Sequence, residues 1–187
     1  MDNKEALAAL AERCGACENC SLCKTRTNVV FGRGGENAKL LFIGEAPGEN
    51  EDKTGLPFVG AAGKLLDKYL AYAEIGEDEY YIANILKCRP PHNRDPLPEE
   101  EDACMPFLRE QLSILKPKII VCLGRISAMR IIDPEFRITK QHGVWFENNG
   151  VKIMAVYHPA ALLRDPRKKE EMLLDFKKIR EEMKSLL

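Results

Sequence analysis

Short apolar segments alternate with helical ones along this chain, and that alternation constrains the fold more than any other feature of the sequence. Three runs have the length of a buried strand, at residues 39–44, 80–86 and 118–124. Two more, at 144–148 and 152–159, stand on either side of an Asn-Asn-Gly turn that is typical of a hairpin. The pattern predicts an α/β fold with three layers, α/β/α, around a mostly parallel central sheet of four to five strands.

Helical segments fill the spaces between these strands. Their signals are apolar residues at helical spacing and acidic residues in a first turn. The predicted helices are 3–12, 62–73, 98–115, 125–132 and about 167–186.

The size and charge of the chain limit what it can be. Its 187 residues suit one domain, which we expect to span 1–187. The net charge of −1 excludes the strongly basic proteins that hold nucleic acid by overall charge, so any DNA contact must come from local patches. No apolar run has the length of a membrane span, and the N-terminal segment lacks a signal-peptide core. We therefore expect a cytoplasmic protein that does not enter membranes, with a monomer as the default state.

Polar loops rich in glycine and proline follow three of the predicted strands. They read GEAPGENED, KCRPPHNRDP and HPAALLR. Because ligands collect at the carboxyl ends of parallel strands, these loops predict a functional site at one edge of the sheet. Common phosphate-binding motifs do not fit, since Gly63-Lys64 is followed by leucine and Gly32 precedes a strand rather than following one.

Single residues in these loops also have plain structural interpretations. Phe58 is most simply a core residue, and the amide of Asn84 in an apolar strand could cap a neighbouring loop. His158, between a strand and a proline, is as typical of a structural histidine as of a catalytic one. The basic stretch that begins at Arg164 is usual for a solvated helix start.

The cysteines predict a metal site. Seven are many for a chain in a reducing compartment, where disulfides are rare and spaced cysteines more often bind metal. Cys17 and Cys20 have ligand spacing, and with Cys88 and Cys104 they make four thiolates that suit zinc or a 4Fe–4S cluster. The wide separation of the second pair favours the cluster.

Alternatives to this ligand set stay open on spacing alone. Cys14 and Cys23 continue the run with a cysteine at every third position and compete with Cys17 and Cys20. Cys88 and Cys104 could instead be ordinary buried thiols. Cys122 lies within an apolar strand and is predicted to be core.

Three separated motifs identify a family. They are GEAPGENEDKTGLPFVGAAGKLLD at 44–67, NILKCRPPHNRDP at 84–96 and YHPAALL at 157–163. With the upstream CENCSLCKTRTNVVFGRG and the strand IIVCLG, they strongly resemble the family 4 uracil-DNA glycosylases, the iron–sulfur members of their superfamily. The resemblance covers about residues 12–182 and implies uracil excision from DNA. It also implies a 4Fe–4S cluster on Cys17, Cys20, Cys88 and Cys104, which braces loops that face DNA.

The resemblance assigns roles to the loop residues. An enzyme of this kind flips uracil out of the duplex, and Leu162 or Leu163 is expected to fill the vacated space. Gly44 and Ala46 bind the base through the first motif, Phe58 stacks on it, Asn84 reads its edge, and His158 donates a hydrogen bond to O2 as charge develops there. Lys87, Arg89 and Arg164 are candidates for phosphate contacts.

The group that positions the attacking water is less clear. In better-known uracil glycosylases an aspartate follows the first motif residue, whereas this chain has Ala46. Among the nearby carboxylates Glu45, Glu51 and Asp52, the resemblance favours Glu51, with backbone carbonyls as an alternative. Gly48 stands where those relatives carry a tyrosine that rejects thymine, so the means of thymine exclusion is open.

Other functions compete with this interpretation. A cluster-containing relative links covalently to the abasic site through a histidine, and His92 is the candidate here, although the inserted loop of that type is missing. A non-catalytic, metal-braced nucleic-acid binder would keep the cysteines without needing Phe58, Asn84 and His158 together. A mismatch-specific glycosylase of a neighbouring family would have a different first motif.

Overall fold

A mixed sheet forms the centre of the molecule. The structure, a computed structural model, describes residues 2–186, so the two end residues of the predicted 1–187 domain lie outside it. The strands are β1 Arg33–Gly34, β2 Leu40–Gly44, β3 Tyr80–Asn84, β4 Ile119–Leu123, β5 Trp145–Asn148 and β6 Val151–Val156.

The strand order places four parallel strands between two antiparallel edges. The order is β1-β3-β2-β4-β6-β5. Strands β3, β2, β4 and β6 run parallel, whereas β1 pairs antiparallel with β3 and β5 pairs antiparallel with β6. The register sets Gly44 opposite Asn84, so the loops that leave β2 and β3 start side by side.

Helices cover both faces of the sheet. They are α1 Asn3–Gly15, α2 Glu49–Thr54, α3 Ala61–Tyr72, α4 Pro98–Leu115, α5 Arg125–Ile131, α6 Ile138–Gln141, α7 Pro159–Arg164 and α8 Lys169–Ser185. Short 3-10 turns occupy Ser21–Lys24, Glu77–Glu79, Pro91–Asn93 and Pro166–Lys168.

The side-chain alternation of the strands divides the core in two. Phe42 and Val121 face a cluster completed by α3, α7 and α8, whereas their neighbours Leu41 and Cys122 face α1, α4 and α5. All four are fully buried. Two apolar interiors on either side of one sheet are what a three-layer α/β/α architecture requires, so the predicted fold class is confirmed.

Differences from the predicted elements lie in short segments. The Asn-Asn-Gly hairpin is present, with Asn149 and Gly150 both in the left-handed region that a two-residue turn requires. The sheet has a sixth strand, the two-residue β1, which no apolar run marks. Helices α2 and α7 occupy motif loops that the sequence shows only as polar or proline-containing. Within residues 2–186, no helix is both long and apolar enough to cross a membrane.

Candidate active site

A cleft of about 510 Å³ opens where the parallel strands end. It is enclosed by the loops that follow β2, β3 and β6, which are the three polar loops of the sequence. The predicted site residues that line it are Glu45, Ala46, Glu51, Phe58, Asn84 and His158. Gly44 lies beneath them, since a Cβ there would meet Asn84 Oδ1 at 2.3 Å and the Phe58 ring at 2.8 Å.

Asn84 presents an unused hydrogen-bond acceptor to this cleft. It is the last residue of β3 and only 2% exposed. Within residues 2–186 its Oδ1 has no hydrogen-bond partner. Because a buried amide oxygen left unpaired is costly, this atom is suited to a donor group on a ligand.

Phe58 is held in the cleft by a strained and tightly anchored loop. Its φ of 53° lies in the left-handed region, which a bulky residue rarely adopts. Glu51 Oε1 accepts hydrogen bonds from the next two backbone groups, Val59 N–H at 2.9 Å and Gly60 N–H at 2.8 Å. Gly63 lets α3 approach, because a Cβ there would lie 1.9 Å from the Phe58 carbonyl oxygen.

His158 is fixed in one orientation by its own chain. It caps the start of α7, and its Nδ1 accepts the Ala160 N–H at 3.1 Å. In the neutral ring the proton is therefore on Nε2. Burial lowers the pKa of His158 to about 4, with Arg164 lowering it further and Glu51 opposing. Since a Cβ at Gly124 would lie 2.8 Å from the His158 Cβ, only glycine leaves this ring its place.

The carboxylates near the cleft differ in how freely they can act. Burial raises the pKa of Glu45 to about 7, and the negative charges of Asp95 and Glu101 add to the rise while Arg125 opposes it. Asp52 is buried and accepts the Thr27 N–H at 2.9 Å, so its role is structural. Glu51, the carboxylate favoured from the resemblance, has one oxygen engaged with the Phe58 loop.

The two leucines after His158 have different environments. Leu162 is 0% exposed and belongs to the core cluster that α3, α7 and α8 share, whereas Leu163 is 50% exposed. The expectation that Leu162 intercalates into DNA is therefore corrected, because it cannot leave the core without opening a cavity. Leu163 stays as the predicted wedge.

The three predicted phosphate contacts also separate. Lys87 is 1% exposed, so the structure corrects its assignment: it cannot reach a phosphate. Arg89 is partly exposed and donates to Asn93 Oδ1 at 2.7 Å. Arg164 is exposed on the rim of the cleft.

The predicted metal ligands come together at a second place. All seven cysteines are free thiols, and all except Cys122 line one small apolar cavity beside the loop after β3. Cys122 is fully buried in β4, in accord with its prediction as core. Within residues 2–186, no three His, Cys, Asp or Glu side chains stand close enough to hold a single metal ion.

Hydrogen-bond donors already face three of the predicted ligand sulfurs. Lys87 N–H donates to Cys104 Sγ at 3.2 Å, Arg26 donates to Cys88 Sγ at 3.3 Å and Asn19 N–H donates to Cys17 Sγ at 3.5 Å. Donors of this kind stabilise sulfur that carries negative charge, as it does when it ligates iron. The residues present therefore fit an iron–sulfur group.

Comparison with known proteins agrees with this arrangement. The family model described as the uracil DNA glycosylase superfamily matches residues 31–184. The chain belongs to the uracil-DNA glycosylase superfamily. A type-4 uracil-DNA glycosylase of Archaeoglobus fulgidus is 47% identical over 95% of this chain and 93% of its own length.

Two further relatives carry the same description. The type-4 uracil-DNA glycosylase of Sulfurisphaera tokodaii is 45% identical over 95% of this chain and 84% of its own length. That of Thermotoga maritima is 43% identical over 87% of this chain and 85% of its own length. These relatives confirm the resemblance on which the sequence motifs were interpreted.

Some residues that shape the site of this protein could not be predicted from the sequence. Gly124 beneath His158 looks like the end of any buried strand, and Ala160 acts only through its backbone N–H. Gln111 on α4 is fully buried and accepts a hydrogen bond from the Lys87 ammonium group. The sequence pattern of an amphipathic helix does not predict that such a polar residue is buried. Such partners become visible only when the fold is known.

Proposed function

We propose that this protein is a uracil-DNA glycosylase, which flips uracil out of DNA and hydrolyses its N-glycosidic bond, leaving an abasic site for base excision repair. One observation carries the proposal: the buried Asn84 Oδ1, which has no partner among residues 2–186, belongs to the same cleft as Phe58 and His158, whose proton is on Nε2. The similarity to type-4 uracil-DNA glycosylases supports it.

The cleft reads the base by its shape and its hydrogen-bonding edge. Phe58 offers a stacking surface, which contributes roughly 1–3 kcal/mol per base. The free Asn84 Oδ1 accepts from uracil N3–H while the amide nitrogen donates to O4. Cytosine reverses this donor and acceptor pattern, so its binding would leave buried polar groups unpaired and is rejected.

His158 stabilises the departing base. Breaking the glycosidic bond leaves negative charge on uracil, largely at O2, and Nε2–H donates a hydrogen bond there. The lowered pKa keeps the ring neutral at physiological pH, and the bond from Ala160 N–H to Nδ1 directs the remaining proton to Nε2. One preorganised donor of this type typically supplies about 10²–10³ in rate.

Glu45 is our first candidate for the carboxylate that holds the attacking water. It lines the cleft, and a pKa of about 7 suits a group that accepts a proton near neutral pH. The Glu45 carboxylate also stabilises the cation-like sugar. Glu51, with one oxygen on the Phe58 loop, is the second candidate, and it acts first as an anchor.

Local contacts bring the DNA to the cleft. Leu163 is half-exposed on α7, the helix that His158 caps, and is the proposed wedge that replaces the flipped base in the stack. Arg164, on the rim, and Arg89, partly exposed after β3, are placed to contact phosphates. A protein with a net charge of −1 depends on such local cations.

The cysteine cavity holds a 4Fe–4S cluster on Cys17, Cys20, Cys88 and Cys104 in this proposal. The donors to three of these sulfurs support it, and so does the small cavity that all four cysteines line. When bound, the cluster braces the loop after β3 against the N-terminal segment and α4. Free thiols throughout suit the reducing cytoplasm, where we place the protein as a single-domain monomer.

Excision from labelled oligonucleotides tests the function. Strands that contain uracil, alone or opposite guanine or adenine, should break after alkali, and matched thymine strands should not. His158→Ala should lower excision about 10²–10³-fold with DNA affinity little changed. His92→Ala is the matched control and should retain full activity.

Two results would overturn the proposal. Absence of breaks from wild-type protein with its full iron content would indicate a non-catalytic binder. A DNA adduct that survives denaturation, and is lost in His92→Ala, would indicate the covalent mode of action instead.

A further inference from the structure

Lys87 is a buried cation whose location the excision chemistry leaves unexplained. Its side chain is among the largest fully buried ones in the protein, with 1% exposure. Nζ donates to the Asn84 carbonyl oxygen at 2.9 Å and to Gln111 Oε1 at 2.6 Å. Both acceptors are neutral. Because burying a charge without a counter-charge is costly, an apolar side chain would serve packing alone better.

The main chain of Lys87 connects to the cysteine cavity. Its N–H donates to Cys104 Sγ at 3.2 Å, and its carbonyl accepts the Val30 N–H at 2.8 Å. Cys88 is the next residue in the chain. One residue therefore bonds to a predicted cluster ligand through its backbone and to the uracil-reading strand end through its side chain.

A cluster bound in the cavity would offer the counter-charge that the ammonium group lacks. The Lys87 N–H already lies 3.2 Å from Cys104 Sγ, so the residue stands beside a predicted ligand. Four thiolates outweigh the positive charge of a 4Fe–4S core, so the filled site would be negative overall. A cation beside it would be stabilised in place and would keep its bond to Asn84.

We propose that Lys87 is a positioning residue, which joins the four-cysteine site to Asn84 and fixes the main chain from which the uracil-reading amide projects. The inference rests on the proposed function, since it concerns how Asn84 is aimed. It assigns the cysteine site a part in base recognition as well as in bracing loops. Gln111 is part of the same network. Its Nε2 donates to the Phe31 carbonyl oxygen at 3.0 Å, which fixes the Oε1 that accepts from Lys87 Nζ.

The test replaces the ammonium group and keeps the backbone. Lys87→Met has a similar length and retains the N–H to Cys104. We expect it to keep its iron content, visible absorbance and circular dichroism, and to bind free uracil about tenfold more weakly by calorimetry, the size of one charge-assisted hydrogen bond. Hydrogen exchange should quicken at residues 84–86. The exposed Lys184→Met, near the end of α8, is the matched control and should change none of these.

A double-variant cycle separates positioning from general stability. If Lys87 acts through Asn84, Lys87→Met should add nothing to the loss of uracil affinity already caused by Asn84→Ala. Additive losses, or wild-type uracil affinity in Lys87→Met, would overturn the inference. Should Lys87→Met fail to fold or to hold iron, Gln111→Met is the second variant. It removes the Oε1 acceptor for Lys87 Nζ but leaves the Asn84 carbonyl oxygen and Cys104 Sγ as partners of Lys87. It should weaken uracil binding with iron retained, and unchanged binding would count against the proposal.

The outcome for the wild-type protein keeps the two proposals distinguishable. Wild-type protein that neither binds uracil nor excises it refutes the glycosylase function. Wild-type protein that does both, with a Lys87→Met variant that matches it, refutes only the role of Lys87.

Discussion

At the residue scale, the same physical cause gives two side chains of the cleft opposite protonation behaviour. Burial disfavours the charged form of either group, so it raises the pKa of Glu45 to about 7 and lowers that of His158 to about 4. The carboxyl group therefore changes state near physiological pH, whereas the imidazole stays neutral there. In the proposed mechanism the neutral ring donates to the departing base and the carboxylate holds the attacking water.

The pH dependence of excision follows from these two values. In the proposed mechanism the ionised form of Glu45 is the active one, so kcat/KM should be constant above about pH 7 and should fall roughly tenfold per pH unit below it. His158 is neutral at every pH above about 4 and adds no step in this range. Glu45→Gln should lower the rate and abolish the acid limb. A limb that persists in Glu45→Gln would assign it to another group.

At the element scale, the loop that carries Phe58 depends on an anchor in α2. Both hydrogen bonds from the loop, at Val59 and Gly60, end on the single oxygen Glu51 Oε1. An amide oxygen can accept them too, whereas an alkyl group cannot. Glu51→Gln should therefore keep excision within about threefold, and Glu51→Leu should lose about 10-fold or more, with faster hydrogen exchange at residues 59–60. A large loss in Glu51→Gln would show that charge at Glu51 takes part in the chemistry.

Helix α7 carries adjacent leucines that serve different purposes. Leu162→Ala should lower the free energy of unfolding by about 2–5 kcal/mol, because it empties a fully buried core position. Leu163→Ala should leave stability within about 0.5 kcal/mol and reduce excision from duplex DNA more than from single strands. Denaturant unfolding and parallel rate measurements check both. Equal losses on single and double strands would remove the wedge role of Leu163.

Elements with strong periodicity could be predicted from the sequence, and elements fixed by tertiary contacts could not. Helix α4 has the predicted bounds, 98–115, because acidic residues and a proline mark its start. Strand β1 has two residues and no apolar pattern, so only its pairing with β3 defines it. Lys87 follows an apolar strand at the start of a polar loop, so the sequence makes it a candidate for a phosphate contact. The partners of its ammonium group are Gln111 on α4 and the Asn84 carbonyl oxygen. They meet Lys87 only in the folded chain, so the local sequence does not reveal them.

At the scale of the whole molecule, the parallel sheet assembles one cleft from segments far apart in the chain. The motif order predicted a common edge, and the register of β2 and β3 gives it. The motifs do not separate Leu162 from Leu163, and the resemblance favours Glu51 over Glu45. The leucines differ in which side of α7 enters the core that α3 helps to form, and Glu51 has one oxygen engaged by the Phe58 loop. Sequence motifs therefore locate the site, and the packing of the fold determines which side chains are exposed to it.

The cysteine site joins the N-terminal segment, the loop after β3 and α4, so its loss should be felt by the entire fold. Cys17→Ser should abolish the visible absorbance of a cluster and lower the unfolding midpoint by about 5–10 °C, since metal binding contributes to folding free energy. Cys23→Ser is the matched control, because Cys23 lines the same cavity outside the proposed ligand set. It should retain absorbance, iron and midpoint. Loss of the cluster in Cys23→Ser with retention in Cys17→Ser would reverse the ligand assignment. Wild-type protein without visible absorbance or iron would overturn the cluster assignment, and the Lys87 ammonium group would then have no counter-charge.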